Sequence, residues 1–153
     1  MLTLAPKLGV TISGINTLES AKAAANNGAG IRFVFDKKSL KYIEPSKANI
    51  ISKVVSKKVG TIGVFVNPTN IELKECLSEI DLECIQLNGN ESQKRVHLIN
   101  LHFSYQPHHE TNRESRKTKR RIIKAIHVAT KKDLDKISIY ENIADSLLYD
   151  TNN

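Results

Sequence analysis

The chain has 153 residues, of which 40% are hydrophobic and 25% charged, a length and composition typical of one folded globular domain. These values exclude a disordered chain, and the longest apolar runs are broken too soon to form a membrane-spanning helix. The formal charge of +7 favours anionic partners and leaves phosphorylated metabolites and nucleic acid both open.

Two features of the sequence bear on the cellular compartment. The first ten residues lack the basic and apolar segments of a secretory signal, so we expect a cytoplasmic protein. The chain has two cysteines, Cys76 and Cys84, whose spacing frames neither a CxxC motif nor a zinc site. We predict that both are buried, unpaired thiols, with Cys76 on a helix and Cys84 on a strand.

Six short β-branched runs alternate with amphipathic runs, a pattern typical of βα units around a parallel sheet. The predicted strands are KLGVTI (7–12), GIRFVF (30–35), TIGVFVN (61–67), LECIQLNG (82–89), IIKAIHV (122–128) and SLLYD (146–150). Because such proteins place their active sites at the carboxyl ends of the strands, we expect the functional residues there.

Capping patterns predict where three of the helices begin, because each pattern places an acceptor three residues before an acid. The pairs are Asn16 with Glu19, Thr69 with Glu72, and Thr130 with Asp133. The first helix is expected to bury a stripe of Leu18, Ala21 and Ala25 and to end at Gly28. The helix after Thr69 is expected to bury Leu73, Cys76, Leu77 and Ile80.

The segment 102–121 breaks this pattern because it is polar and longer than a usual connection. We interpret it as an exposed insertion within a single domain that covers residues 1–153. Its basic run, 113–121, lacks aromatic residues for base stacking, which favours a solvated loop over a nucleic-acid interface. The spacing of four histidines in and before this segment does not fit a zinc site: His97, His102, His108 and His109. We therefore expect exposed loop histidines, with neither a bound metal nor a cofactor.

Six segments near the predicted strand ends resemble, in order, motifs of the phosphoribosylanthranilate isomerase family of tryptophan biosynthesis. They are VTISGI (10–15), FVFDKKSLKYIEP (33–45), VGTIGVFVN (59–67), IQLNGNES (85–92), IKAIHV (123–128) and LLYDT (147–151). The resemblance implies an α/β fold of the (β/α)8 TIM-barrel family, incomplete here with about six βα units. It also implies an Amadori rearrangement of a phosphorylated small-molecule substrate, in which an acid protonates the ribose ring oxygen and a base removes a C–H proton.

The resemblance assigns roles to five residues of this sequence. Asp150 matches the general acid, and Ser13 takes the position of the general-base cysteine. Lys41 replaces a substrate-binding arginine, Gln86 matches a glutamine, and Asn88 replaces a histidine. A serine hydroxyl does not ionise near neutrality unaided, so Ser13 requires a base beside it, for which His127 is the in-barrel candidate.

The sequence leaves three interpretations open. One is an isomerase whose missing seventh and eighth strands come from a second chain or a swapped homo-oligomer, since an open sheet exposes unpaired edges. Another is an inactive, truncated relative, favoured by the changes at the base and at the arginine position. A third, less favoured, is a basic nucleic-acid-binding module. Arg32, where the family has glycine, either fills the barrel edge or lies on the surface.

Overall fold

Six parallel strands form one sheet in the computed structural model, which describes residues 10–55, 59–105 and 119–151. Each strand pairs with the next one in the sequence, giving the order β1-β2-β3-β4-β5-β6. The strands are β1 (Thr11–Ser13), β2 (Gly30–Val34), β3 (Thr61–Phe65), β4 (Cys84–Leu87), β5 (Arg121–His127) and β6 (Ser146–Asp150). This arrangement confirms the predicted α/β class and corresponds to an open, incomplete (β/α) barrel of six units.

Helices connect the strands, as parallel pairing requires. They are α1 (Leu18–Asn26), α2 (Pro45–Val55), α3 (Asn70–Glu79), α4 (Gln93–Phe103) and α5 (Asp135–Tyr140), with a 3₁₀ turn at Lys131–Leu134 before α5. None of these helices is long and apolar enough to cross a membrane. The first strand begins and ends later than predicted, and residues 7–9 of that prediction lie outside the described part of the chain.

The capping predictions are partly confirmed. Glu72 accepts a hydrogen bond from the Thr69 N–H at 2.7 Å and donates its own N–H to the Thr69 hydroxyl at 3.2 Å. Asp133 likewise accepts from the Thr130 N–H, at 2.8 Å. The prediction for Asn16 with Glu19 is wrong, because Thr17 has the extended backbone of an N-cap and its hydroxyl accepts from the next turn.

The core lies between the outer face of the sheet and the helices. Strand residues such as Ile31, Phe33 and Ile85 are fully buried there, and Leu73 of α3 packs against them. Because side chains alternate along a strand, their neighbours face the concave side of the sheet, where a barrel has its interior. The outer packing therefore determines which residues face the interior.

The packing of α1 and α3 follows the predicted stripes with one exception. Ala21 and Ala25 are buried, whereas Leu18 is 38% exposed because it is the first residue of α1 and lies at the rim. The α3 stripe is buried as predicted, and this includes Cys76. Gly28 has a φ of +72°, the left-handed conformation predicted for the end of α1.

The predicted insertion 102–121 is wrong at both of its ends. Helix α4 extends to Phe103, which is buried, and Arg120 is buried immediately before β5. The Arg120 guanidinium donates to the carbonyl groups of Leu82 at 3.1 Å and Phe103 at 3.2 Å, so this cation belongs to the core and not to a solvated loop. Residues 106–118 lie outside the described ranges.

The histidine prediction is also corrected in part. His97 and His102 lie on α4, with exposed side chains, and not in a loop. His108 and His109 fall outside the described residues. Within the described ranges there is no group of three or more histidine, cysteine or acidic side chains that could hold a metal ion.

Candidate active site

A cavity of about 440 Å³ opens at the carboxyl ends of the strands, on the concave side of the sheet. Its polar lining comes from four of the six strands and from the loops after β2 and β4: Ser13, Arg32, Asp36, Ser39, Gln86, Asn88 and Asp150. Val34, Val64 and Leu148 supply apolar walls between these groups. Four of the five residues singled out in the sequence therefore share one cavity.

Ser13 lies at the end of β1, directly opposite Arg32 of β2 in the register of the sheet. The next residue, Gly14, donates its N–H to the Arg32 carbonyl at 3.1 Å, which continues the pairing past the end of the strand. Among the described residues, no side chain forms a hydrogen bond with the Ser13 hydroxyl. The neighbour that the register gives Ser13 is a cation, which cannot remove a proton from the hydroxyl.

Gln86 and Asn88 form a connected pair at the end of β4. The Gln86 amide nitrogen donates to the Asn88 side-chain oxygen at 2.8 Å. Gln86 is only 3% exposed, yet its side-chain oxygen has no hydrogen-bond partner within the described ranges. A buried amide oxygen without a partner is costly, so this oxygen is available to accept a hydrogen bond from a ligand.

Asp150 ends β6 and lies beside His127 at the end of β5. The Nδ1 atom of His127 is 3.7 Å from a carboxyl oxygen of Asp150, and its Nε2 atom is 3.2 Å from the Asn88 carbonyl oxygen. The Asp150 side chain is 55% exposed, so the described residues do not enclose it. The expectation that His127 serves Ser13 is not met, because the contacts of His127 are with Asp150 and Asn88.

Lys41 is the one predicted site residue that the structure leaves outside the cavity lining. Its side chain is exposed and packs over Gly14, where an added Cβ atom would lie 2.7 Å from the Lys41 Cδ. Gly14 also has a φ of +77°, so both backbone conformation and close approach favour glycine there. Lys41 therefore covers the end of β1 from outside.

A buried ion pair that was not predicted from the sequence supports the loop after β4. The Lys124 ammonium group lies 2.9 Å from the Glu91 carboxylate, and both side chains are almost fully buried. The other Glu91 oxygen accepts from the N–H groups of Asn67 at 2.8 Å and Gly89 at 3.1 Å. Glu91 thereby connects the loops that follow β3 and β4, and it fixes the backbone next to Asn88.

The fold and this site define the chain as a member of the (β/α)-barrel class, with a polar cavity at the carboxyl ends of its strands. A family model described as N-(5'-phosphoribosyl)anthranilate (PRA) isomerase matches residues 10–129. The chain belongs to this family.

Curated relatives and solved structures agree with that assignment. The N-(5'-phosphoribosyl)anthranilate isomerases of Rhizobium rhizogenes and Trichodesmium erythraeum are 32% and 35% identical, each over 142 residues and 92% of this chain. A crystal structure of monomers generated from the dimeric Thermotoga maritima isomerase has a TM-score of 0.75 and 28% identity, covering 94% of this chain and 65% of that one. The chain spans 57% of the length of the Rhizobium rhizogenes relative and 56% of the Trichodesmium erythraeum relative.

One solved structure contains a ligand related to the family's reaction. It is a phosphoribosylanthranilate isomerase in complex with reduced 1-(o-carboxyphenylamino)-1-deoxyribulose 5-phosphate, with a TM-score of 0.74 and 27% identity over 95% of this chain. The ligand carries an aryl carboxylate, an amine and a sugar phosphate. It indicates which chemical groups that protein binds.

Proposed function

We propose that this chain provides the substrate-binding and acid side of a phosphoribosylanthranilate isomerase site. The reaction would convert N-(5-phosphoribosyl)anthranilate to the aminoketose by an Amadori rearrangement. The observation that carries the proposal is that Ser13, Gln86, Asn88 and Asp150 line one cavity in a chain of this family.

Asp150 takes the role of general acid in this proposal. Its carboxyl group protonates the ribose ring oxygen, the ring opens to a Schiff base, and the base then removes the neighbouring C–H proton. The Nδ1 atom of His127 lies 3.7 Å from an oxygen of this carboxyl group. The Gln86 and Asn88 pair supplies neutral hydrogen-bonding groups that orient the sugar.

Among the described residues, the site lacks a group that could activate Ser13 as a base. This lack favours a second candidate function, that of a relative that binds ligands without catalysis. Ser13 has Arg32 as its register neighbour, and within the described ranges it has no hydrogen-bonded base. A thiol with a pKa near 8.5 ionises far more readily than a hydroxyl, and a cation nearby lowers a thiol pKa further. Slow or absent turnover in the native chain is the expected consequence.

Completion of the barrel belongs to the same proposal. In the described part of the chain, β1 pairs only with β2 and β6 only with β5, so each has one open edge. Two further βα units, from a second chain or a swapped homo-oligomer, would close the barrel and add backbone amides for phosphate binding. The cytoplasmic location and the absence of a cofactor stay predictions, as does the solvated state of residues 113–118 of the basic run, which lie outside the described ranges.

A coupled fluorescence assay that follows the loss of enzymatically generated phosphoribosylanthranilate tests the proposal. We compare the native chain with Asp150→Asn and with Asp135→Asn, an exposed carboxylate on α5 that serves as the matched control. The proposal requires turnover, in the native chain or in the Ser13→Cys background, that Asp150→Asn abolishes and Asp135→Asn retains.

Ser13→Cys tests the base position in the same assay. We expect this variant to raise turnover at least tenfold if the missing thiol is what limits the reaction. Folded protein that shows no turnover in either form, native or Ser13→Cys, contradicts the catalytic proposal and leaves the binding relative.

A further inference from the structure

Arg32 projects a cation into the cavity from the middle of the wall formed by β1 and β2. Its neighbours in the sequence, Ile31 and Phe33, are fully buried against the helices, so strand alternation directs Arg32 to the concave side. The side chain is half-buried and lines the cavity together with Ser13 and Gln86. Arg32 is therefore an interior residue of the barrel and not a surface residue.

The Arg32 guanidinium has unsatisfied hydrogen-bonding capacity. Its Nε atom is buried and has no hydrogen-bond partner, and among residues 10–55, 59–105 and 119–151 no carboxylate lies within ion-pair distance. Burial lowers its pKa, with the Cys84 thiol acting in the opposite direction. A partly desolvated cation without a counter-ion is unfavourable, and an anionic ligand would compensate it.

A second, independent observation indicates a ligand in the same cavity. The Gln86 side-chain oxygen is buried and unpartnered there, while its amide nitrogen is already bonded to Asn88. The cavity thus offers an unused donor on Arg32 and an unused acceptor on Gln86. This combination matches a small molecule that carries an anionic group and an N–H or O–H group.

The type of anion follows from the shape of Arg32 and from the charges around it. A guanidinium presents a planar fork that fits a carboxylate with two parallel hydrogen bonds. Asp36 and Asp150 also line the cavity, and their negative charges disfavour a dianionic phosphate more than a monoanionic carboxylate. Lys41 does not line this cavity, so within the described lining Arg32 is the strongly basic group.

We propose that Arg32 forms a carboxylate-binding subsite inside the cavity and takes the aryl carboxylate of the ligand, with Gln86 accepting from an adjacent amine. The inference deepens the proposed function and rests on it for the identity of the ligand. It moves carboxylate recognition from the loop after β2, where Lys41 lies, to the strand β2 itself.

Anthranilate is the probe, and its own fluorescence reports binding to the native chain without any turnover. Arg32→Met removes the fork at similar volume, and Arg95→Met removes the same charge from outside the cavity, where Arg95 donates to Asn70 and to the Pro68 carbonyl. We expect Arg32→Met to weaken anthranilate binding at least tenfold and Arg95→Met to leave it within twofold. Aniline, which lacks the carboxylate, should bind the native chain and Arg32→Met alike.

Several results would overturn the inference. They are anthranilate affinity unchanged in Arg32→Met, a loss seen in Lys41→Met instead, inorganic phosphate bound through Arg32 as tightly as anthranilate, or no anthranilate binding by folded native protein. Arg32→Lys covers the case in which Arg32→Met does not fold, because it retains the charge and loses only the fork. We expect that variant to bind about threefold to tenfold more weakly than the native chain, and unchanged binding would count against the subsite.

The two proposals fail separately in these experiments. Arg32-dependent binding of anthranilate, with no turnover in either the native chain or Ser13→Cys, supports the subsite and rejects the isomerase proposal. Turnover in a chain whose anthranilate affinity does not depend on Arg32 supports the isomerase proposal and rejects the subsite.

Discussion

The buried pair of Lys124 and Glu91 gives the sharpest stability prediction. Lys124 donates to the Glu91 carboxylate at 2.9 Å and to the carbonyl groups of Leu87, Gly89 and Ala125 at 3.3, 2.8 and 2.9 Å. Lys124→Met fills similar volume but removes these four hydrogen bonds and leaves the Glu91 charge without its cation. Removal of one partner of a buried ion pair costs about 3–5 kcal/mol.

The remaining contacts of Glu91 place the expected loss toward the lower end of that range. Its other oxygen still accepts from the Asn67 and Gly89 N–H groups, which stabilise the carboxylate. Glu91→Gln keeps an acceptor oxygen for them and leaves Lys124 its three carbonyl partners, so it should cost about 1–3 kcal/mol. The double variant should cost less than the sum of the two, because the residues are in direct contact.

Urea unfolding followed by circular dichroism measures these differences, with equal m-values as the condition for comparison. Lys53→Met, an exposed position on α2, is the matched control and should change the free energy of unfolding by less than about 0.5 kcal/mol. A Lys124→Met variant within about 1 kcal/mol of the native chain, or strictly additive costs in the double variant, would refute this account of the pair.

Three further predictions concern titration and backbone geometry. Hydrogen bonds from Lys136 and then from Thr130 hold the pKa of Asp133 well below its usual range, so its contribution to stability is complete above about pH 4 and is lost as the pH falls. In a pH series of urea melts, the free energy of unfolding of Asp133→Asn should therefore fall less steeply at acid pH than that of the native chain. The same pH dependence in both proteins would contradict this prediction. Burial raises the pKa of Cys76 to about 12 and of Cys84 to about 11. Both thiols should therefore resist a disulfide reagent at pH 8 until urea unfolds the chain, and rapid labelling of native protein would count against it. Gly28→Ala should cost about 1–2 kcal/mol because of the φ of +72°, with no steric clash, and a neutral effect on the melting temperature would argue against left-handed strain.

The sheet was largely predictable from the sequence because its signal is local. The run SLLYD corresponds to β6 without any shift, and the ends of β2 to β5 differ from the predictions by no more than two residues. The cap of α1 was misplaced by one residue, since Asn16 and Thr17 both have side-chain acceptors and only backbone geometry distinguishes them. Each of these features depends on residues a few positions apart.

The electrostatics of the site could not be predicted in the same way. The Glu91 and Lys124 partners are 33 residues apart, and a lysine in an apolar strand has no local pattern that names its partner. Arg32 posed the same problem, because its direction depends on which face of β2 packs against the helices. The family resemblance identified Ser13, Lys41, Gln86, Asn88 and Asp150 as candidate site residues. Only the packing shows that Lys41 lies outside the cavity lining.

Three of the four changes in the site lie on β1, β2 and the loop after β2, and under the proposed function they would allow binding without efficient catalysis. Gln86 and Asp150, which match the family, come from β4 and β6. Ser13, Arg32 and Lys41, which depart from it, come from β1, β2 and the following loop, whereas Asn88, which also departs from it, follows β4. The altered wall lacks a group that removes a proton and gains one that attracts an anion. Under the proposed function, a site changed in this way would retain the groups that bind and protonate a ligand and would lack the base that the later proton removal needs.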